Sequence, residues 1–283
     1  MKAPAFGYAR PESVEAALGL LGEWGDRATI LAGGQSLLAS LNLRLSQPEV
    51  LIDIGRLDHL RGIEDAGSLL RVGALTRHVE ILNSPQIAQS VPLVAMAMPH
   101  VAHVAVRNRG TFGGSVALAD PAAELPACCV ALGATFHLKS AEGERKVAAE
   151  TFFDGLYSTV RQANELLVAI ELPKRPGWRF AFHELTRRHG DFAMAGVAAA
   201  WGEGALRLVV FGCEAYPRIA SHAAQAAAGR DLADPAVRAA ILDALDSDLD
   251  PMANLQGRAD TKLRWAKVLA GKALADLAGK EQP

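Results

Sequence analysis

Two glycine-rich turns, each entered from an apolar strand, constrain this chain more than any other feature. Ala28-Thr-Ile-Leu-Ala32 reads as a short buried strand and runs directly into Gly33-Gly34-Gln35-Ser36, after which Leu37 to Leu45 reads as a helix closed by Pro48. The second turn is Gly110-Thr111-Phe112-Gly113-Gly114, within Val106 to Ser115. Residues without a Cβ let the backbone approach a ligand closely and adopt positive φ. Successive N–H groups in such a turn form a concave anion site, and a helix start beyond it adds partial positive charge. Two such loops could hold the two phosphates of a dinucleotide from opposite sides. Neither is a GxGxxG fingerprint, and the chain has no Walker A sequence. A side chain at Gly34 or Gly113 is expected to stand where diphosphate oxygens approach, or to oppose the backbone conformation that the N–H cradle requires.

The remaining pattern describes a mixed α and β chain. Pro11 to Trp24 reads as a helix with Val14, Ala17, Leu18 and Leu21 on one face, and Pro11 suits its first turn. Val50 to Ile54 and Leu69 to Val72 read as strands, and Thr76 as the cap of a short helix to Leu82. Pro92 to His103 is apolar and ambiguous. Asp120 to Glu124 opens a helix to about Leu132, and Ala134 to Lys139 alternates as a strand, turns at Ala141 to Glu144 and returns. Leu166 to Leu172 is a further strand. Pro173 to Gly177 reads as a linker, followed by strands at Phe180 to Thr186, Gly196 to Trp201 and Leu206 to Phe211. From Ser221 onward the chain reads as helical, its last helix carrying Leu263, Ala266, Ala270, Leu274 and Leu277 on one face.

Composition excludes several functions. With 29 Lys and Arg against 31 Asp and Glu, the net charge of −2 argues against a general nucleic-acid binder. Three cysteines, Cys128, Cys129 and Cys213, can supply neither a disulfide framework nor the four thiolates of an iron–sulfur cluster. They read as buried thiols in a reducing compartment. The N-terminal segment has no secretory pattern, and the stretch Ile81 to Val106, free of Asp, Glu, Lys and Arg, is broken by three prolines. A soluble, cytoplasmic protein without a membrane span is expected.

Leu31-Ala-Gly-Gly-Gln-Ser-Leu-Leu38, Leu41-Asn-Leu-Arg-Leu45 and Leu51-Ile-Asp-Ile54 resemble the FAD-binding medium subunit of the molybdenum hydroxylases, the carbon monoxide dehydrogenase and xanthine dehydrogenase family. The resemblance continues in order through Val72 to Arg77, Arg107 to Ser115, Ala119 to Glu124, Asn164 to Leu167 and Arg187 to Ala193. It implies an α+β chain: a two-part FAD-binding α/β module, residues 1–55 and 56–176, and a C-terminal α+β domain, residues 177–283, with a small antiparallel sheet and helices. It further implies that Leu31, Ala32, Gly33, Gly34, Gln35, Ser36 and Leu37, with Gly110, Thr111, Phe112, Gly113 and Gly114, wrap the FAD diphosphate. By the same resemblance Glu124 contacts the adenosine ribose, while Leu167 and Met194 lie near the isoalloxazine or its chain. The chain departs from the family at Phe112, where a branched aliphatic residue is usual, at Leu118, at Glu124, where Asp is frequent, and at Met194, where some relatives have Lys. An aromatic ring at Phe112 is expected either to stack on the flavin and limit access to it, or to fill the core.

The function implied is an electron-transfer oxidoreductase subunit holding FAD. The iron–sulfur centres would sit on a small partner subunit and the molybdenum cofactor on a large one, in a dimer of heterotrimers. Electrons would pass from the iron–sulfur centres through FAD to an external acceptor. Two alternatives are a stand-alone FAD-dependent oxidoreductase and a structural subunit whose flavin site Phe112 has closed. No nucleophile–base pair and no metal set is read. His100 and His103 lack a third ligand and read as packing or hydrogen-bonding residues. Asp120 and Glu124 fit a helix N-terminus as well as an acid pair. Arg187-Arg188-His189 reads equally as an anion contact, a solvated turn or a partner contact.

Overall fold

The computed structural model describes residues 2–279. Its first unit begins with a short strand, β1 (Gly7–Ala9), followed by α1 (Val14–Trp24), β2 (Ala28–Leu31), α2 (Leu37–Asn42) and β3 (Val50–Asp53). The three strands form a parallel sheet in the order β1-β3-β2. Helix α1 starts later than the position of Pro11 suggests, because Ser13 is its cap and accepts the Ala16 N–H at 3.0 Å. Its buried face is Val14, Ala17, Leu18 and Leu21, packed on Val50, Ile52 and Ile54.

The middle unit contains β4 (Ile63–Ala66), β5 (Leu69–Gly73), α3 (His78–Leu82), α4 (Pro85–Ser90), α5 (Pro92–Ala97), α6 (Val104–Arg107), α7 (Phe112–Leu118), α8 (Glu124–Leu132), β6 (Thr135–Ser140), β7 (Gly143–Ala148), β8 (Phe153–Gly155), β9 (Ser158–Thr159) and β10 (Leu166–Pro173). Its antiparallel sheet has the order β4-β5-β10-β6-β7, so the last strand in sequence lies at the centre. A register shift at Leu167/Ala169 accompanies a division of labour along β10. Leu166 and Val168 join the core of the first unit, while Leu167, Ile170 and Leu172 join the middle core. Thr76 does not cap α3. Its Oγ1 bonds the Gly62 backbone, and α3 begins after Arg77, whose N–H donates to Glu80.

The last unit is built from β11 (Arg179–Leu185), β12 (Ala195–Gly202), β13 (Ala205–Phe211), β14 (Arg218–Ile219), α9 (Ser221–Ala227), α10 (Pro235–Asp248) and α11 (Ala259–Ala278). The antiparallel sheet β11-β12-β13-β14 is covered on both faces. Phe180, Phe182, Ala198, Ala200, Val209 and Phe211 share a core with α5 and the wholly buried α8. Ala181, Val197, Ala199, Leu208 and Val210 pack on the C-terminal helices. Arg207 seals the seam: its guanidinium donates to Ala131 O at 2.7 Å and Val130 O at 2.8 Å, while Arg175 donates to Leu132 O at 2.9 Å. These give Ala131 O and Leu132 O, which lie in the last turn of α8, side-chain donors, and add a second donor to Val130 O, which already accepts the Gly133 N–H at 3.1 Å. In α11, Ala266, Ala270, Leu274 and Leu277 are buried and Leu263 partly so. Lys262 is buried too, its Nζ donating to Gly212 O at 3.0 Å. No helix among the described residues is long and apolar enough to cross a membrane.

Candidate functional site: an arginine-lined cleft between two glycine loops

The two glycine loops meet. A Cβ on Gly33 would lie 2.4 Å from Arg109 O and 2.8 Å from Gly110 Cα, so glycine is the residue that lets the loops touch. On Gly114 it would fall 3.9 Å from Ala32 Cβ. At this junction opens a cleft of about 250 Å³, walled by Leu31, Ala32, Gly33, Gly34 and Leu38 on one side and by Arg77, Arg109 and Thr111 on the other.

The loops are chemically unequal. In the first, among the described residues, the N–H groups of Gly33, Gly34, Gln35 and Ser36 have no acceptor within the chain. Gly34 takes φ +74°, a conformation that favours glycine. The Gln35 side chain folds back onto Gly33 O at 3.2 Å. Helix α2 beyond is only six residues long, shorter than the Leu37 to Leu45 segment read from sequence, so the donors come from the turn itself rather than from a long helix.

In the second loop the backbone is already committed. The Phe112 N–H donates to Thr76 O at 2.9 Å, Gly113 N–H to Ala74 O at 2.8 Å, and Gly114 N–H to Thr111 Oγ1 at 3.1 Å. Buried His78 braces it from behind: its Nε2 lies 3.0 Å from Thr111 O, which can only accept, so this nitrogen carries the proton. Burial holds the His78 pKa down at about 4, and the ring stays neutral. Gly110 is needed for that brace, since a Cβ there would meet His78 Nδ1 at 3.0 Å.

The expectation that Phe112 reaches the flavin is corrected here. Phe112 has no exposed surface and packs in the core with Leu70, Val72 and Val116. Pairing of the 112 and 113 backbone to the segment 74–76 turns the ring inward, so it neither stacks in the cleft nor closes it. A Cβ on Gly113 would strike Ala74 at 2.5 Å, so this position is closed to a side chain by the fold itself. At Gly34 it would meet the side chains of Leu31 and Leu38 at 3.2 Å.

Sequence reading overlooked the charged wall. Arg10, Arg56, Arg61, Arg77 and Arg109 all line the cleft. Arg61 is tethered by Gly55 O at 2.7 Å and Asp58 at 3.2 Å. The one carboxylate in the wall, Asp53, accepts the Tyr8 hydroxyl at 2.5 Å and the Gly55 N–H at 2.9 Å. These arginines are far apart in sequence, and only Arg77 and Arg109, adjoining the recognised motifs, carried any signal.

The cleft thus gathers Leu31 to Gly34 and Thr111, with Gln35, Ser36 and Leu37 continuing the first loop. Glu124, Leu167 and Met194 do not line it. Leu167 is a core residue of β10. Met194 follows the exposed 187–189 segment, its N–H bonded to Leu185 O at 2.8 Å. Glu124 lies 7% exposed at the start of α8, in an acidic cluster with Glu184, Asp120 and His100. Burial, reinforced by Glu184 and Asp120, pushes its carboxyl up to about 8. His100 Nδ1 is 3.1 Å from Glu184 Oε1, which holds its imidazole above the usual range, and Asp120 receives the Tyr157 hydroxyl at 3.2 Å. All three cysteines are buried with their thiols pushed up by desolvation. Among the described residues no group of three His, Cys, Asp or Glu side chains is placed to hold a metal ion.

Residues 4–175 match the FAD binding domain in molybdopterin dehydrogenase, and residues 180–277 match the CO dehydrogenase flavoprotein C-terminal domain. The carbon monoxide dehydrogenase medium chain of Hydrogenophaga pseudoflava is 38% identical over 280 residues, 96% of each chain. The 6-hydroxypseudooxynicotine dehydrogenase complex subunit alpha of Paenarthrobacter nicotinovorans is 44% identical over 200 residues, covering 70% of this chain and 68% of that protein. Among solved structures, the carbon monoxide dehydrogenase from Hydrogenophaga pseudoflava that lacks the Mo-pyranopterin moiety superimposes with a TM-score of 0.94 at 37% identity, covering 98% of both chains.

Proposed function

The chain belongs to the FAD-binding flavoprotein subunits of the molybdenum-containing dehydrogenases, an oxidoreductase family, and on that footing we propose that it relays electrons from iron–sulfur centres on a partner subunit to an external acceptor. FAD, when bound, exchanges electrons singly or in pairs, and the protein supplies its position and electrostatic surroundings. The observation that carries this reading is the cradle itself. Among the described residues the four consecutive N–H groups Gly33 to Ser36 have no acceptor, and Gly33 and Gly34 line, with five arginines, a cleft at the point where glycine lets the two loops touch. That donor set fits a diphosphate.

In this reading Leu31 to Leu37 hold the diphosphate directly. Thr111 adds to the opposite wall, and Gly110, Gly113 and Gly114 shape it. Glu124, Leu167 and Met194 serve the remainder of the cofactor, as the family resemblance implies. The segment 1–55 and the segment 56–176 form the two walls, and 177–283 completes the flavin subunit. An iron–sulfur small subunit and a molybdenum-cofactor large subunit complete a cytoplasmic dimer of heterotrimers. With three cysteines, all buried, this chain has no thiolate set for a cluster of its own. Purification of the full chain with the subunits it retains tests the proposal. The expected result is a flavin absorption spectrum, with FAD released by acid precipitation. A colourless complex, or colour that stays in the acid pellet, contradicts the proposed non-covalent FAD site.

A further inference from the structure

The cleft carries more positive charge than the chain itself neutralises. Of its arginines, Arg61 is tethered, whereas the side chains of Arg56, Arg77 and Arg109 have no hydrogen bond or ion pair among the described residues. They arrive from three separate places: the turn after β3, the turn before α3 and the residue preceding Gly110. The single carboxylate in the wall, Asp53, hydrogen-bonds Tyr8 and the Gly55 N–H and supplies one negative charge against the five arginines. With one carboxylate against five guanidinium groups, the excess cations repel one another until an anion enters.

We propose that Arg77 and Arg109, assisted by Arg56, form a salt-sensitive anion clamp that closes the diphosphate site from the side opposite the Gly33 to Ser36 amides. The proposal deepens the FAD reading and names the ligand chemistry selected: a diphosphate ester, held on one side by neutral backbone donors and on the other by planar cations. Backbone amides give shape with little charge. Guanidinium adds bidentate, charge-assisted bonds to phosphate oxygens. Because Arg56 and Arg109 are exposed, their attraction is reduced by mobile ions, so affinity acquires an ionic-strength dependence that amides alone would not give. A flavin without phosphate gains nothing from the clamp.

The test compares the full chain, with the subunits it retains, against Arg77→Ala, Arg109→Ala, the double variant and Arg77→Lys, each stripped of flavin and titrated with FAD by fluorescence quenching at low and high salt. Each alanine change is expected to weaken FAD by about tenfold, the usual scale of a hydrogen bond to a charged group. The double variant is expected to lose most of the salt dependence, and Arg77→Lys to recover part of the affinity. Riboflavin affinity is expected to be equal in all. Thermal midpoints of the stripped variants at or above that of the wild type show that the fold is intact, since these side chains bond nothing in the protein and their removal relieves repulsion. A double variant with wild-type FAD affinity and salt dependence overturns the clamp. Inorganic pyrophosphate separates this outcome from failure of the FAD reading. The clamp requires pyrophosphate to raise the thermal midpoint of the stripped wild type, and of the double variant far less, even if the wild type takes up no FAD.

Discussion

Replacing Glu124 with glutamine should abolish a loss of stability at alkaline pH that the wild-type chain carries. Glu124 is 7% exposed, and its carboxyl titrates at about 8 rather than the ordinary 4.5 because burial penalises the charged form and Glu184 and Asp120 oppose a further negative charge. The positive partner facing it is His100. Below pH 4.5 the group is protonated in both folded and unfolded chains, and its contribution is fully present. Between 4.5 and 8 the folded chain keeps a proton that the unfolded chain has released, so stability falls as pH rises. Above 8 the loss is complete. At about 1.4 kcal/mol per pH unit, that interval bounds the loss at about 5 kcal/mol. Local relaxation and water entry hold the observable figure below that bound, within the roughly 3–5 kcal/mol found for uncompensated buried charges. The assay is urea unfolding of the flavin-free full chain at a series of pH values, for wild type and Glu124→Gln. Glutamine keeps the shape without the charge. The Glu124 charge also raises the pKa of His100, so the difference between the two profiles reports Glu124 together with its coupling to His100. Profiles that run parallel from acid to alkaline pH would refute the reasoning, because they would mean that Glu124 is ionised in the folded chain at no cost.

Gly33→Ala places a methyl 2.4 Å from Arg109 O and should both lower the thermal midpoint and strip flavin, as the two loops are forced apart; normal flavin content would show that the loops do not need their contact. Phe112→Ala removes a fully buried ring and should cost about 3–5 kcal/mol in chemical unfolding, whereas Phe112→Ile should leave the flavin spectrum and reoxidation rate unchanged, since the ring does not enter the cleft. Arg207→Ala leaves Ala131 O without its donor and releases Glu150, and should cost about 2 kcal/mol, measurable as a lower urea midpoint without loss of secondary structure.

What the sequence revealed of the fold followed hydrophobic periodicity. The buried faces of α1 and most of α11 were visible in their apolar spacing, and the apolar runs of β2, β3, β10 and β12 announced themselves. The edge strands did not. In β1 two of three residues are exposed, and β4 presents Glu64, Asp65 and Ala66 to solvent, so neither shows the alternation of a half-buried strand. Lys262 was hidden for the opposite reason: a charged residue is rarely buried, and only the Gly212 carbonyl, distant in sequence, makes its position tenable.

The candidate site divides in the same way. The glycine turns were legible because the residue type encodes a local backbone requirement. Which of their N–H groups remain free was not, since Thr76 O and Ala74 O claim those of the second loop through tertiary pairing. For the same reason the orientation of Phe112 could not be read from its neighbours. The arginine wall is assembled from turns and loops scattered between positions 10 and 109, and nothing in their local sequence marks them as neighbours.

The two-sided burial of the β11-β12-β13-β14 sheet bears on how the chain behaves under a protease. The proline-containing 174–178 connection invites cleavage, and the two matched sequence regions meet there. Yet Phe180, Phe182, Ala198, Ala200, Val209 and Phe211 belong to the interior that α5 and α8 complete, and Arg207 and Arg175 stitch the end of α8 across and beside that cut. A nick in the connection should therefore yield fragments that remain associated and co-elute until denaturant is added. Each fragment expressed separately would present half of an apolar interior to water, and mixing the two should regenerate the nicked form by complementation.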